Sequence, residues 1–320
     1  MQGDFFLTTW FLEGMKWVYS NVHSVFFTIL ICTIVLRSLT IFSDIATRKS
    51  QAKMNAVQPE LQRIQKKYAN DPVKAQQASR KLMADRGVSM WGSCLPLLIT
   101  MPLFFCFIAA FRFWGYEETI RLLTADNAAE LLKSFRFLWV NNIWQPDNGL
   151  SPVIQEGSKF LANSAQLNRL LYLQNNPDVW EKLVQLGVAA KDAAGSYSFL
   201  TTDAAVAAYN EAVQPLLEVY AGHNNGWFIL PLLAGGTQFL ANWIMQKGQP
   251  AQDPGNPAAS TTRMMLWMFP IMSAWFCLTY NAAFAVYWIL TSIFMVLVNI
   301  VLNRRFPRGA AAEPKEGEKK

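Results

Sequence analysis

The chain has 320 residues, of which 52% are hydrophobic and 16% charged, with a net charge of +6 at neutral pH. Soluble domains carry charge on about a quarter of their residues, so this composition excludes an ordinary water-soluble fold and points to a polytopic membrane protein. Four cysteines without a CxxC pair and two isolated histidines, His23 and His223, argue against a disulfide framework, a metal site or a cofactor.

Residues 1–21 have no basic region ahead of their apolar residues and no small-residue cleavage site, so they do not read as a secretory signal. Phe5, Phe6, Trp10, Phe11, Met15, Val18 and Tyr19 recur at helical spacing, which predicts a helix lying in the outer interface. Residues 22–43 form the first span, long enough to cross about 30 Å of hydrocarbon. Inside it lies Arg37, six residues before the cytoplasmic end and so about 9 Å deep at 1.5 Å per residue. An arginine there costs about 2.5–3.5 kcal/mol on insertion scales, and it cannot shed its charge. Thr33, Arg37, Thr40 and Asp44, spaced four, three and four, place a polar stripe on one side of this helix.

Residues 44–90 carry ten cations against Asp44, Glu60, Asp71 and Asp85. Met54, Val57, Leu61, Ile64 and Tyr68 make an apolar stripe at helical spacing, kinked at Pro59, until Asn70-Asp71-Pro72 breaks it. Asp71 is placed as the N-cap of a second helix running to about Arg86, with Gly87 as its stop. The prediction is a cytoplasmic helical hairpin whose cations, Arg63, Lys66, Lys67, Arg80 and Lys81 among them, face anionic lipid or a docked partner.

The second span covers 91–113 and contains Thr100. Residues 114–225 carry net negative charge and read as an extracytoplasmic helical region. Its helical stretches are QEGSKFLANSAQLNRLLYLQ, PDVWEKLVQLGVAAKDAA and DAAVAAYNEAVQPLLEVY, while FLWVNNIWQPD is membrane-proximal; no catalytic constellation occurs in it. A third span (226–246) carries Gln238 and Asn242. A short cytoplasmic loop (247–263), a fourth span (264–280) with Ser273, a fifth (282–303) with Ser292 and Asn299, and a basic tail (304–320) follow. The fold class is all-α, with five transmembrane helices, a cytoplasmic helical hairpin and a helical extracytoplasmic insertion. The Lys and Arg distribution puts the N-terminus outside and the C-terminus in the cytoplasm. If the polar faces of the spans converge, they enclose a hydrophilic cavity; the alternative is that Arg37 snorkels to the headgroups and the hydroxyls bond to their own backbones.

The order IVLRSLTIF, AKMNAVQPELQRIQKKYANDPVKAQQ, GVSMWGSCLPLLITMPLF, FLWVNNIWQPD, ILPLLAGGTQFL and RMMLWMFPIMSAWFCLTYNAAFAVYWILTSIF resembles the YidC-type membrane protein insertases and their mitochondrial and chloroplast relatives. The resemblance covers all five spans and the basic hairpin. It implies a groove open to the cytoplasm and to lipid but closed on the outside, with Arg37 facing it and Tyr287 and Trp288 near it; Thr33, Thr100, Gln238, Asn242 and Ser292 are the polar span positions expected to line it with them. It also implies a mobile hairpin, a bacterial cell membrane location and nascent membrane proteins as clients. The Sec translocon, the ribosome or signal recognition components are the partners to expect, with no enzymatic activity, cofactor or specific nucleic acid.

Thr100 stands where many members have glutamine, Asn281 where proline is usual and Ser292 where asparagine is frequent. The outer insertion is longer than the usual connection, and the tail is short and of mixed charge. A solute transporter or channel is the alternative class, but no internal repeat or paired broken helices support it. A membrane-embedded enzyme would need Ser/His/Asp, HExxH or paired intramembrane carboxylates, and none is present.

Overall fold

The computed structural model describes residues 6–88, 91–220, 224–246 and 257–305, with the side chains of 91–101 and scattered further helical positions outside that description. The described chain is helical apart from one two-stranded antiparallel sheet. In order, the elements are α1 (Phe6–Val22), α2 (Val25–Lys67), α3 (Pro72–Asp85), α4 (Trp91–Thr124), α5 (Ala128–Ser134), α6 (Gly157–Leu161), α7 (Ser164–Leu167), α8 (Leu171–Asn175) and α9 (Pro177–Gln185). Then come β1 (Ala189–Lys191), β2 (Tyr197–Phe199), α10 (Asp203–Glu218), α11 (Ile229–Gln246), α12 (Pro257–Thr279) and α13 (Ala282–Arg305).

The expected first span and the first helix of the basic segment are one continuous helix, α2, of 43 residues. Past Phe42 the sequence changes from apolar to charged without a glycine, and Ala, Lys, Gln, Glu and Arg all propagate a helix well; Pro59 is accommodated inside it. Asp71 caps α3, accepting from the Lys74 amide at 3.0 Å, and Pro72 occupies the first turn, where its missing N–H costs nothing. Hydrogen bonds from the Lys74 backbone and side chain hold the Asp71 carboxyl below the usual range. Gly87, at φ +61°, follows the end of α3. Val57 and Leu61 of α2 bury against Val88, with Met54, Leu82 and Met83 packed around them, and Arg86 meets Glu60 at 2.6 Å.

Two helical stretches among the described residues are long and apolar enough to cross a bilayer, Val25–Phe42 and Ala282–Val301; Leu266–Thr279 is a shorter apolar one. Only 17% and 28% of the two long stretches are buried in protein, so neither is the core helix of a soluble domain. Phe27, Val35, Leu39 and Phe42 present their side chains outward, as a lipid-facing surface requires.

The chain forms two compact units. Met1–Ile31, Phe105–Gly235 and Met272–Ile289 make the first, and Cys32–Phe104, Gly236–Ile271 and Leu290–Lys320 the second. In the first unit α1 buries Phe11, Leu12 and Met15 and leaves Phe6, Trp10 and Trp17 exposed. Phe11 meets Phe107 of α4 edge-on at 4.0 Å between centroids, and Tyr19 meets Trp114 at 5.5 Å. Lys16 pairs at 2.6 Å with Glu117, whose side chain is fully buried. Burial pushes the Glu117 and Glu118 carboxyls up, against the opposing pull of Lys16 and Arg121. α4 continues past the expected boundary at 113 to Thr124 and so brings these acids onto α1.

The outer insertion departs from the helical expectation in two places. QEGSKFLANSAQLNRLLYLQ breaks into the short helices α6, α7 and α8 rather than a longer one. The stretch PDVWEKLVQLGVAAKDAA is helical only to Gln185. Gly187 takes φ +76° and ends it, and β1 then pairs with β2 through a turn in which Asp192 accepts from the Ser196 amide at 2.8 Å. α10 matches the third stretch and packs on α6 through Tyr209, which is fully buried, stacks on Phe160 at 5.2 Å and donates to the Gln155 carbonyl at 3.0 Å.

Candidate functional site

In the second unit, polar side chains from α2, α11 and α13 meet on one face of α13. Ser292, Met295 and Asn299 stand three and four residues apart there, the spacing that stacks side chains on one helical face. Ser292 is 2% exposed and donates from Oγ to Oε1 of Gln238 at 3.2 Å; Gln238 in turn donates from Nε2 to Oδ1 of Asn242, one turn along α11, at 3.2 Å. From α2, the half-buried Arg37 brings Nη1 to 3.8 Å from the Met295 sulfur. A thioether is a weak acceptor and carries no charge. Among the described residues no carboxylate pairs with Arg37, so the guanidinium keeps its charge available.

Of the other stripe members on α2, Thr33 is buried, and Thr40 donates its hydroxyl to the Arg37 carbonyl at 3.1 Å. That bond spends the Thr40 side chain on its own helix, as the alternative to a polar cavity expects of the hydroxyls. Thr100 lies in α4 with its side chain outside the described residues, as is that of Asp44.

Tyr287 and Trp288 belong to the first unit. Tyr287 stacks on Phe107 at 4.9 Å, and Trp288 lies 5.8 Å from Phe284. Arg63, Lys66, Lys67, Arg80 and Lys81 are all exposed on α2 and α3.

Two positioning groups lie outside the polar set. Asp147 is fully buried; its Oδ1 accepts from the amides of Trp227 (2.5 Å) and Phe228 (3.1 Å), and its Oδ2 from the Leu230 amide (2.7 Å) and Trp139 Nε1 (3.0 Å). These are amides at the start of α11, and a carboxylate suits a helix N-terminus. Gly226 makes the close approach possible. It sits at φ +81°, and a Cβ there would run into the Asp147 carboxylate. Beside it Asn225 links the same loops, donating to the carbonyls of Asn142 (2.9 Å) and Pro146 (3.1 Å). The second group is Asn281, which caps α13 by accepting from the Phe284 amide at 3.0 Å while donating to the Phe111 carbonyl of α4 at 2.8 Å. The turn before α13 therefore closes without the proline that resemblance leads one to expect.

The profile of the family described as 60Kd inner membrane protein matches residues 17–309 of the chain. A membrane protein insertase YidC of Clostridium perfringens is 34% identical over 137 residues, covering 42% of this chain and 51% of that protein. The membrane protein insertase YidC of Chlorobaculum parvum is 31% identical over 137 residues, 43% of this chain and 21% of that protein. That of Xanthomonas oryzae pv. oryzae is 30% identical over 166 residues, 47% and 28%. The chain thus spans about half or less of the length of these curated relatives.

Proposed function

The chain belongs to the 60Kd inner membrane protein family, and on that premise we propose that it is a bacterial inner-membrane insertase that moves nascent hydrophobic segments into the bilayer. The observation that carries the reading is the polar face of α13, where Ser292 bonds to Gln238 and Arg37 meets Met295 rather than a carboxylate. A cation without a carboxylate partner among the described residues is free to attract a client. Two unit charges 4 Å apart attract by about 1 kcal/mol in water but about 4 kcal/mol at an effective dielectric near 20. In this reading Arg37, Thr33, Thr100, Gln238, Asn242 and Ser292 line a hydrated groove that admits the polar or acidic end of a client half-way into the membrane. The apolar segment then leaves sideways into lipid, driven by burial at about 25 cal/mol per Å². No covalent step is involved.

Five spans, with α1 and the 114–225 region outside and the basic α2–α3 segment and C-terminal tail in the cytoplasm, complete the reading. Tyr287 and Trp288 would contact the passing segment, and the exposed cations of α2 and α3 would meet anionic lipid, the ribosome, a Sec translocon or signal recognition components.

The test is insertion of a single-span substrate with an acidic translocated end into proteoliposomes. Replacing Arg37 with alanine is expected to cut insertion at least about five-fold, the effect of losing a charge interaction of about 1 kcal/mol or more, while Arg37→Lys retains much of the activity. Full insertion by Arg37→Ala contradicts the reading, and solute flux without insertion favours a transporter.

A further inference from the structure

We propose that a cavity of about 510 Å³ at the C-terminal half of α4 binds the phosphate of an anionic phospholipid. It is lined by Arg112 and Tyr116 of α4, Trp144 of the following loop, Lys159 of α6, and Trp275 and Tyr280 at the end of α12, all within the first unit. Its volume lies within the roughly 300–1,000 Å³ of ordinary small-ligand sites.

Two buried donors on separate elements lack a protein acceptor among the described residues. Trp144 is 4% exposed and its Nε1 has no hydrogen-bond partner, nor has Nε of Arg112. Each such unpaired donor carries a desolvation penalty that an acceptor supplied from outside the chain would relieve. Among the described residues Arg112 has no ion-pair partner; its guanidinium stands 5.9 Å from the centroid of the Phe113 ring. Arg112 and Tyr116 stand four residues apart on α4, on one face of the helix, and both line the cavity; burial raises the Tyr116 phenol above its ordinary value, against the opposing pull of the Arg112 charge. Glu156 also lines the cavity, but Lys159 already holds it at 3.2 Å. The charged lining therefore carries one net positive charge, the complement of a single phosphodiester.

A lipid fits this site better than a soluble anion. Trp275 is 58% exposed near the end of the apolar stretch Leu266–Thr279, and Arg112 directly follows the mostly buried apolar run from Cys106 to Phe111. Tryptophan and tyrosine collect at headgroup level, and an arginine at a span end reaches for phosphate through its apolar stem. Paired N–H groups make arginine the side chain suited to phosphate oxygens. A zwitterionic headgroup would bring its own cation against Arg112 and Lys159, so the occupant is of the phosphatidylglycerol type.

The full-length protein, stripped of lipid in detergent and exposed to mixed phosphatidylglycerol and phosphatidylcholine micelles, is to be examined by native mass spectrometry. The wild type should retain one phosphatidylglycerol that resists washing and is not displaced by millimolar inorganic phosphate. Loss of one headgroup charge contact of about 1 kcal/mol should lower that occupancy about five-fold in Arg112→Gln. Lys159→Gln, at an exposed position that does not threaten folding, should lower it in the same direction and keeps the test decisive if Arg112→Gln folds poorly. A variant with Arg63→Gln, Lys66→Gln and Lys67→Gln accounts for lipid held by the basic helices and should keep the occupancy that Arg112→Gln loses. Unchanged retention in both cavity variants, equal retention of phosphatidylcholine, or displacement by inorganic phosphate would each overturn the proposal.

Discussion

Replacing Asp147 with asparagine should destabilise the protein severely, although the change preserves shape. The buried carboxylate takes two donors on each oxygen: Trp227 and Phe228 amides on one, Leu230 amide and Trp139 indole on the other. Asparagine keeps one acceptor oxygen and turns an NH₂ group toward the other pair of donors. Two bonds to a charged acceptor, each about 1.5–3 kcal/mol, are lost with their donors still buried, so the expected cost is about 3–6 kcal/mol. Reversible unfolding in mixed micelles by added sodium dodecyl sulfate, followed by tryptophan fluorescence, gives the free energy. Gly226→Ala attacks the same contact from the opposite side, by steric clash and by its φ of +81°, and should be comparably damaging. Because both changes break one contact, the double variant should lose clearly less than the sum. An Asp147→Asn cost below about 1 kcal/mol, or strict additivity with Gly226→Ala, would refute the assignment of Asp147 as the cap of α11.

The Lys16–Glu117 pair predicts a pH dependence. Glu117 and Glu118 have folded-state carboxyls raised by burial, so their contribution to stability is fully present below the unfolded carboxylate range and is lost as pH rises through their raised values. The melting temperature should therefore rise on mild acidification from neutral pH, and Glu117→Gln should flatten that rise; a wild-type profile that falls over the same window would contradict the packing of α1 on α4. Lys16→Met leaves a buried carboxylate without its cation and should cost about 3 kcal/mol at neutral pH, with much of the loss recovered on acidification. In the basic segment, Leu61→Ala should open the α2–α3 contact by about 2 kcal/mol in hydrogen exchange, whereas Glu60→Gln, which removes an exposed ion pair, should change it by less than about 1 kcal/mol. Equal effects from the two variants would show that the apolar contact does not hold α3 in place.

Elements governed by local chemistry were legible in the sequence. The Asp71-Pro72 start of α3, the Gly87 stop and the packing of Val57 and Leu61 follow from spacing and capping alone. The continuity of α2 was not, because a change from apolar to charged composition marks a change of solvent, not the end of a helix. β1 reads as helix in the sequence because Ala189, Ala190 and Lys191 are good helix formers; Gly187 and the Asp192–Gly195 turn override their propensity. Asp147 could not be found from spacing, since the amides it caps lie some 80 residues away. For the polar set, the sequence supplied Arg37, Gln238, Asn242 and Ser292 as polar positions in apolar helices. It offered no reason to single out Met295, an ordinary apolar residue until the fold brings it to Arg37.

The most direct measurement is site-specific photo-crosslinking to a ribosome-stalled client. A photoreactive amino acid placed at Met295, beside Arg37 on the polar face of α13, should capture the client's hydrophobic segment, whereas one at the outward-facing Leu297 should capture lipid instead. Capture of client at Leu297 and none at Met295 would contradict a route that runs past Arg37.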